Sequence, residues 1–258
     1  MSTQNNQNNI IIGNWKMKKD LSESVQLARD LNEKFQDFEQ GEVAVCPEHV
    51  ALTSVKEELK DTPIKLGAQN VFWESKGSFT GETPPQTLKQ AGCEYVIIGH
   101  SERRRYLLEN YSMIHQKVKE VLDAEDITPV VCVGESMEDK ESEKRDYVII
   151  DQLQQALGGV YIGKDQRVIV AYEPVWAIGS GMPIKPEEAQ YAHKIIKLAL
   201  KDMYGLETID NNFRIIYGGS VNSDNVEDFA HLENLDGLLL GGASLEAEEF
   251  YKVAQSIL

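Results

Sequence analysis

Short apolar runs rich in β-branched residues alternate with longer stretches in which apolar positions recur every three or four residues, all along the 258-residue chain. The short runs read as strands: NIIIG (9–13), EVAVC (42–46), PIKLGA (63–68), EYVIIG (94–99), TPVVCVG (128–134), RVIVAYE (167–173), FRIIYG (213–218) and DGLLLG (236–241). Between them, LSESVQLARDLNEKFQDF, HQKVKEVLDAED, KRDYVIIDQLQQAL, PEEAQYAHKIIKLALKDMY and LEAEEFYKVAQSIL carry the i, i+3, i+4 spacing of amphipathic helices. Most of the strands are apolar on both faces instead of alternating, which is the pattern of a parallel sheet covered by helices.

Each of the eight runs is followed by a helical pattern, and 258 residues divided among eight units gives about 32 per unit. That predicts an α/β fold of the (β/α)8-barrel type; a doubly wound open sheet is the rival arrangement. No shift in composition marks a linker, so a single catalytic domain is expected over residues 10–258. It follows MSTQNNQNN, which reads as a disordered polar tail over residues 1–9 and lacks the cationic start and apolar stretch of a secretory leader. In either fold, function collects at the C-terminal ends of the strands.

Composition narrows the partners. Hydrophobic residues make up 41% and charged residues 26%, as in a chain that buries a sizeable core, while the formal net charge is −16. Such a field repels nucleic acid and anionic membrane surfaces, so neither is expected as a partner, and no run approaches the ~20 apolar residues of a membrane span. An anionic substrate would need local positive charge. Cys46, Cys93 and Cys132 show no CxxC spacing and read as reduced core thiols, so no metal site is expected and the location predicted is cytoplasmic.

The strand ends carry the candidate chemistry. In GNWKM, the aromatic Trp15 lies between Asn14 and Lys16 and would fix the backbone that aims the lysine into the barrel mouth. In GHSERRR, His100 directly follows the strand and precedes what reads as the first turn of a helix, whose positive end favours a neutral imidazole able to donate to a carbonyl. His49, His115, His193 and His231 fall on helical patterns or loops and read as structural. In AYEPVWAIGSG, the buried strand ends on a carboxylate, Glu173; a stiff proline follows at once, then an apolar tripeptide and a flexible Gly-Ser-Gly. YGGSV and LGGASL put glycine pairs, with Ser220 and Ser244 beside them, where backbone N–H groups could approach a phosphate. GGVYIGK only half satisfies a nucleotide-binding loop: Asp165 stands where a hydroxyl should hold magnesium, and the segment runs from helix to strand.

GNWKM, GAQN, FTGE, GHSERR, AYEPVWAIG, YGGSV and DGLLLGGASL together resemble the triosephosphate isomerase family, in its order and at its spacing, from Asn9 to the C-terminus. The resemblance implies a (β/α)8 barrel that interconverts dihydroxyacetone phosphate and D-glyceraldehyde 3-phosphate without cofactor or metal, in glycolysis and gluconeogenesis. It implies Glu173 as the base, His100 as the neutral electrophile, Lys16 as the cation facing the substrate, Glu102 as its buried partner, and Asn14 as a hydrogen-bond donor. Gly179, Ser220, Gly241 and Gly242 would contact the phosphate. It also implies a homodimer in which the loop NVFWESKGSFTGE inserts into the neighbour, with Thr80 reaching across and Phe79 at the interface. Lys18, and SGMPIKP (180–186) at the far end of the lid, depart from the family's usual residues. Two other readings remain: another phosphate-binding barrel, and a catalytically inactive paralogue acting as an interaction protein.

Overall fold

The computed structural model describes residues 9–178 and 184–258. Eight strands close into a barrel in sequence order: β1 (Ile10–Asn14), β2 (Glu42–Cys46), β3 (Lys65–Ala68), β4 (Cys93–Ile98), β5 (Thr128–Val133), β6 (Val168–Tyr172), β7 (Phe213–Tyr217) and β8 (Gly237–Leu240). All pairs are parallel, and β1 meets β8 with Ile10 opposite Gly237, which seals the sheet. The open-sheet alternative is thereby excluded. Asn9 donates from Nδ2 to the Ile257 carbonyl at 3.0 Å, and residues 1–8 lie outside the described part.

Strand residues are buried on both faces for the reason their composition suggested. Alternate positions such as Ile10, Ile12, Tyr95, Ile97, Val130, Ile169, Ile216 and Leu239 fill the barrel interior. Their neighbours Ile11, Val43, Val96, Val131, Val170 and Leu238 face the helical shell. That shell comprises α1 (Leu21–Phe35), α2 (Leu52–Glu58), α3 (Pro85–Gln90), α4 (Ser101–Tyr106), α5 (Tyr111–Asp123), α6 (Met137–Glu141), α7 (Arg145–Leu157), α8 (Pro186–Tyr204), α9 (Leu206–Asn212) and α10 (Ala247–Ile257). Helix α1 shows how local sequence sets an element. Asp20 and Glu23 form a reciprocal capping box at its start, and Ser24, Leu27, Ala28, Leu31 and Phe35 form its buried stripe.

One unit departs from the expected repeat. The segment after β7 forms only a single 3₁₀ turn, Val226–Asp228, where a helical pattern was expected. In NSDNVEDFAHLEN a single i, i+3, i+4 set, Val226, Phe229 and Ala230, follows turn-forming Asn, Ser and Asp, enough for one turn but not for a helix.

At the opposite end of the barrel, Glu42 at the start of β2 takes two hydrogen bonds from Arg167, at 2.6 and 2.9 Å, and one from the Tyr95 hydroxyl inside β4. Burial alone would raise this carboxyl. The Arg167 and Tyr95 hydrogen bonds outweigh burial and bring it down to about 2.

Candidate active site

A cavity of about 410 Å³ opens at the C-terminal ends of the strands, lined by Asn14, Lys16, His100, Glu173, Ser220, Gly241 and Gly242 among others. Residues separated by more than two hundred positions in sequence therefore face one volume. The three titratable groups arrive from β1, β4 and β6.

Lys16 is held by its backbone. Its φ of +52° lies in the left-handed region, which costs any residue that carries a Cβ. Its N–H donates to Asn14 Oδ1 at 3.1 Å, and its carbonyl accepts from Gln69 Nε2 at 2.9 Å; the same amide also donates to Cys46 O. Trp15, between Asn14 and Lys16, is 1% exposed. The ammonium ends 2.7 Å from Glu102 Oε1. Glu102 does hold the lysine, but it is not buried: 44% of its side chain is exposed. It sits on the first turn of α4, at the rim, where one face of the helix meets solvent.

His100 caps α4. Its Nδ1 accepts the Glu102 N–H at 3.3 Å, so in the neutral ring the proton resides on Nε2. That Nε2 points at Glu173 Oε1, 3.0 Å away, and Glu173 Oε2 accepts the Ser101 N–H at 3.0 Å. Both side chains are almost wholly buried. Burial acts to lower the imidazole, but the facing Glu173 carboxylate outweighs it and holds the ring above its ordinary value. Burial likewise acts to raise Glu173, and the charge and hydrogen bond of His100 outweigh it and hold the carboxyl below its ordinary value. The strand end beneath them is anchored by Glu109, which takes the Gly99 N–H at 3.1 Å and ion pairs with Lys117 and Arg103.

The two glycine pairs do different work. A Cβ on Gly218 would stand 3.1 Å from Glu173 Cγ, and one on Gly219 would strike the Tyr217 hydroxyl at 2.0 Å. This first pair makes room for the carboxylate and the tyrosine. Gly242 instead faces open space, and a Cβ on Gly241 would meet only the end of the Lys16 side chain, 3.6 Å from Cε and 3.9 Å from the ammonium. The cavity's cation and its bare backbone thus adjoin. Ser244 does not share that role: it is fully buried, and its hydroxyl donates back to the Leu240 and Gly241 carbonyls.

The sequence model of the triosephosphate isomerase family matches residues 9–257. The chain belongs to the triosephosphate isomerase family. It is 42% identical over 247 residues to the triosephosphate isomerase of Dictyoglomus turgidum, covering 96% of this chain and 98% of that one. To the Caldanaerobacter subterraneus enzyme of the same name it is 46% identical over 244 residues, covering 95% and 97%. The crystal structure of triosephosphate isomerase from Bartonella henselae superimposes with a TM-score of 0.85 at 30% identity, over 96% of this chain and 98% of that one.

The segment that this family resemblance marks as a lid begins at the base. Val175–Ala177 forms one 3₁₀ turn after Pro174, and Ser220 donates its hydroxyl to the Ala177 carbonyl at 3.1 Å. Trp176 Nε1 donates to Glu135 at 2.8 Å, and the Tyr172 hydroxyl reaches the same carboxylate. Burial raises Glu135, and these donors oppose the rise. Glu135 and Gln69 were not singled out in the sequence, although GAQN contains the latter. Gly179, expected at the phosphate, lies outside the described residues, as does most of the SGMPIKP departure.

Thr80 and Phe79 do not line the cavity of their own chain and lie on an exposed loop. Phe72 is buried against the rings of Trp73, at 4.1 Å, and Phe79, at 4.6 Å, while Phe79 itself remains 43% exposed. The three cysteines are buried thiols. Among the described residues no helix is long and apolar enough to cross a membrane, and no cluster of His, Cys, Asp and Glu has the arrangement of a metal site.

Proposed function

We propose that this chain interconverts dihydroxyacetone phosphate and D-glyceraldehyde 3-phosphate by proton transfer through an enediol(ate), with Glu173 as base. The observation that carries this reading is the convergence of Glu173, His100 and Lys16 on one cavity that also opens onto the bare backbone of Gly241 and Gly242. A carboxylate, a neutral N–H donor and an ammonium beside an anion-sized backbone cradle match the needs of an α-hydroxycarbonyl phosphate.

The steps follow from the groups. The phosphate docks against the N–H groups of Gly241 and Gly242 and at Ser220, with Gly179 completing the cradle from the lid. Lys16 offsets the charge that the −16 chain would otherwise repel. Asn14, whose Oδ1 is taken by Lys16, offers its amide hydrogens. Glu173 leaves the Ser101 N–H and His100, swings to the carbon beside the carbonyl, and removes its proton; the C–H electron pair forms the enediolate double bond. His100 Nε2–H steadies the oxygen that gains charge. His100 gives its Nε2 proton to that oxygen and takes one from the neighbouring hydroxyl, and Glu173 returns its proton to the neighbouring carbon as the new carbonyl forms.

His100 and Glu173 hold one another's protonation state only while they touch. Once the carboxylate departs, burial and the Lys16 charge both disfavour the imidazolium. The ring thus meets the substrate neutral, able to donate and take back one proton. No position in this set carries a substitution that an inactive paralogue would need.

The working unit we propose is a cytoplasmic homodimer, with residues 10–258 as its catalytic domain. The stacked, partly exposed rings of the loop around Phe79 support it, because a neighbouring subunit would cover apolar surface that water now meets. Thr80 would then approach the partner's cavity. A coupled assay with dihydroxyacetone phosphate tests the reaction: turnover is expected without added metal or cofactor, and its absence contradicts the reading.

A further inference from the structure

Gln152 lies on α7, outside the cavity, yet it is 8% exposed and faces the end of β5. Its Oε1 accepts the Gly134 N–H at 2.7 Å, and its Nε2 donates to the Gly134 carbonyl at 3.1 Å. One amide side chain thus satisfies both backbone groups of one buried residue, and only one orientation of the amide does so. Gly134 in turn touches the base. A Cβ built on it would lie 1.7 Å from the Glu173 carbonyl oxygen, so the two backbones are in direct contact. On either side the contact is laddered: Glu173 N–H donates to Val133 O at 2.8 Å, and Val175 N–H to Glu135 O at 3.1 Å. A shift of Gly134 cannot be absorbed between these two bonds and passes to Glu173.

We propose that Gln152 is a positioning residue for the base: it fixes the Gly134 peptide and, through it, the place from which the Glu173 carboxylate reaches substrate. The inference rests on the assignment of Glu173 as the base. A misplacement of about 1 Å costs up to roughly 10²-fold in rate without altering remote contacts. The signature is therefore a loss in kcat, with KM and phosphate affinity spared, since the phosphate contacts at Ser220, Gly241 and Gly242 follow β7 and β8, away from the Gly134 peptide.

The isosteric variant Gln152→Glu gives a test that general loosening does not mimic. Protonated, its carboxyl presents one acceptor and one O–H donor, as the amide does; ionised, it loses the donor and sets a charge against the Gly134 carbonyl. Burial places this change above the ordinary carboxylate range. The experiment is kcat, KM for dihydroxyacetone phosphate and the inhibition constant of inorganic phosphate for wild type and Gln152→Glu from pH 5.5 to 8.5, with thermal unfolding at each pH to confirm folded protein. The ratio of variant to wild-type kcat should approach one at the acid end and fall by roughly tenfold or more as pH rises, with KM and phosphate inhibition unchanged. Gln152→Met should show the low kcat at every pH. A ratio that is flat with pH, or a parallel loss of phosphate affinity, overturns the positioning role while wild-type activity stands. Wild type inactive on dihydroxyacetone phosphate overturns the functional reading as well.

Discussion

His100 Nε2 stands 3.0 Å from Glu173 Oε1, an imidazole and a carboxylate sharing one proton in a nearly water-free contact. The direction of each group's shift follows from the other. Glu173 is held below its ordinary carboxylate value, so the base is ionised throughout the neutral range, and its capacity is lost only as pH falls through that lowered value. The pH profile of kcat/KM, with the phosphate's own ionisation near 6 divided out, should therefore show no loss of base at or above the ordinary carboxylate range. A limb within the ordinary carboxylate range, near 4.5, contradicts the pairing; a limb higher up is the protonation of His100, whose ring the pairing holds above its ordinary value.

Lys16 and Glu102 form a pair of unequal members. Removing the ammonium should cut kcat/KM by roughly 10–10²-fold, the scale of a lost charge-assisted hydrogen bond. Glu102→Gln should cost only a few-fold, because a pair with one partner 44% exposed is worth at most about 1 kcal/mol. Lys252→Ala, on the exposed face of α10, is the control and should change nothing beyond error. Equal, small effects for Lys16→Ala and Lys252→Ala contradict the role of Lys16.

Phe79→Asp should convert a dimer into a monomer with most turnover lost. A charge among the Phe72, Trp73 and Phe79 rings leaves the barrel fold intact but removes the apolar surface that association would bury. Sedimentation and steady-state activity read the two effects together. An intact, fully active dimer contradicts the proposed interface.

Glu42 supplies acid-dependent stability at the far end of the barrel. Its carboxyl falls from an ordinary 4.5 to about 2 on folding, so its stabilisation is fully present above 4.5 and is lost as pH falls toward 2. For a side chain one-quarter exposed, that amounts to about 2 kcal/mol after solvent screening. Glu42→Gln should lower the unfolding temperature by roughly 4–8 °C at pH 7, and the difference should shrink between pH 4.5 and 3. A difference that is constant with pH would place the effect in packing instead of charge.

The barrel was legible because buried parallel strands leave continuous apolar runs, and the site because its groups sit where those runs stop. Glu173, His100 and Lys16 each stand within two residues of a strand's C-terminal end, so sequence order placed them at one rim. The short helices α2, α3, α6 and α9, five to seven residues each, contain too few turns for a period to emerge. The roles of the glycine pairs were not separable in sequence: only the contact with Tyr217 and Glu173 distinguishes Gly218–Gly219 from the open pair at Gly241–Gly242. Ser244 looked like an anion ligand because it follows two glycines, yet its hydroxyl turns back onto the carbonyls of its own turn. Gln152 had no signal at all. A polar residue on a helix reads as solvated until the peptide facing it is known.

In the proposed reaction Glu173 moves a proton between adjacent carbons. That transfer is tested most directly by running D-glyceraldehyde 3-phosphate to dihydroxyacetone phosphate in D₂O and locating deuterium by NMR. A carboxylate that holds the proton between two transfers exchanges it with solvent, so wild type should place deuterium on the carbon that gains hydrogen. Glu173→Gln should lose turnover by at least ~10²–10⁴-fold while still binding inorganic phosphate. Product free of deuterium, or turnover undiminished in Glu173→Gln, would contradict the account.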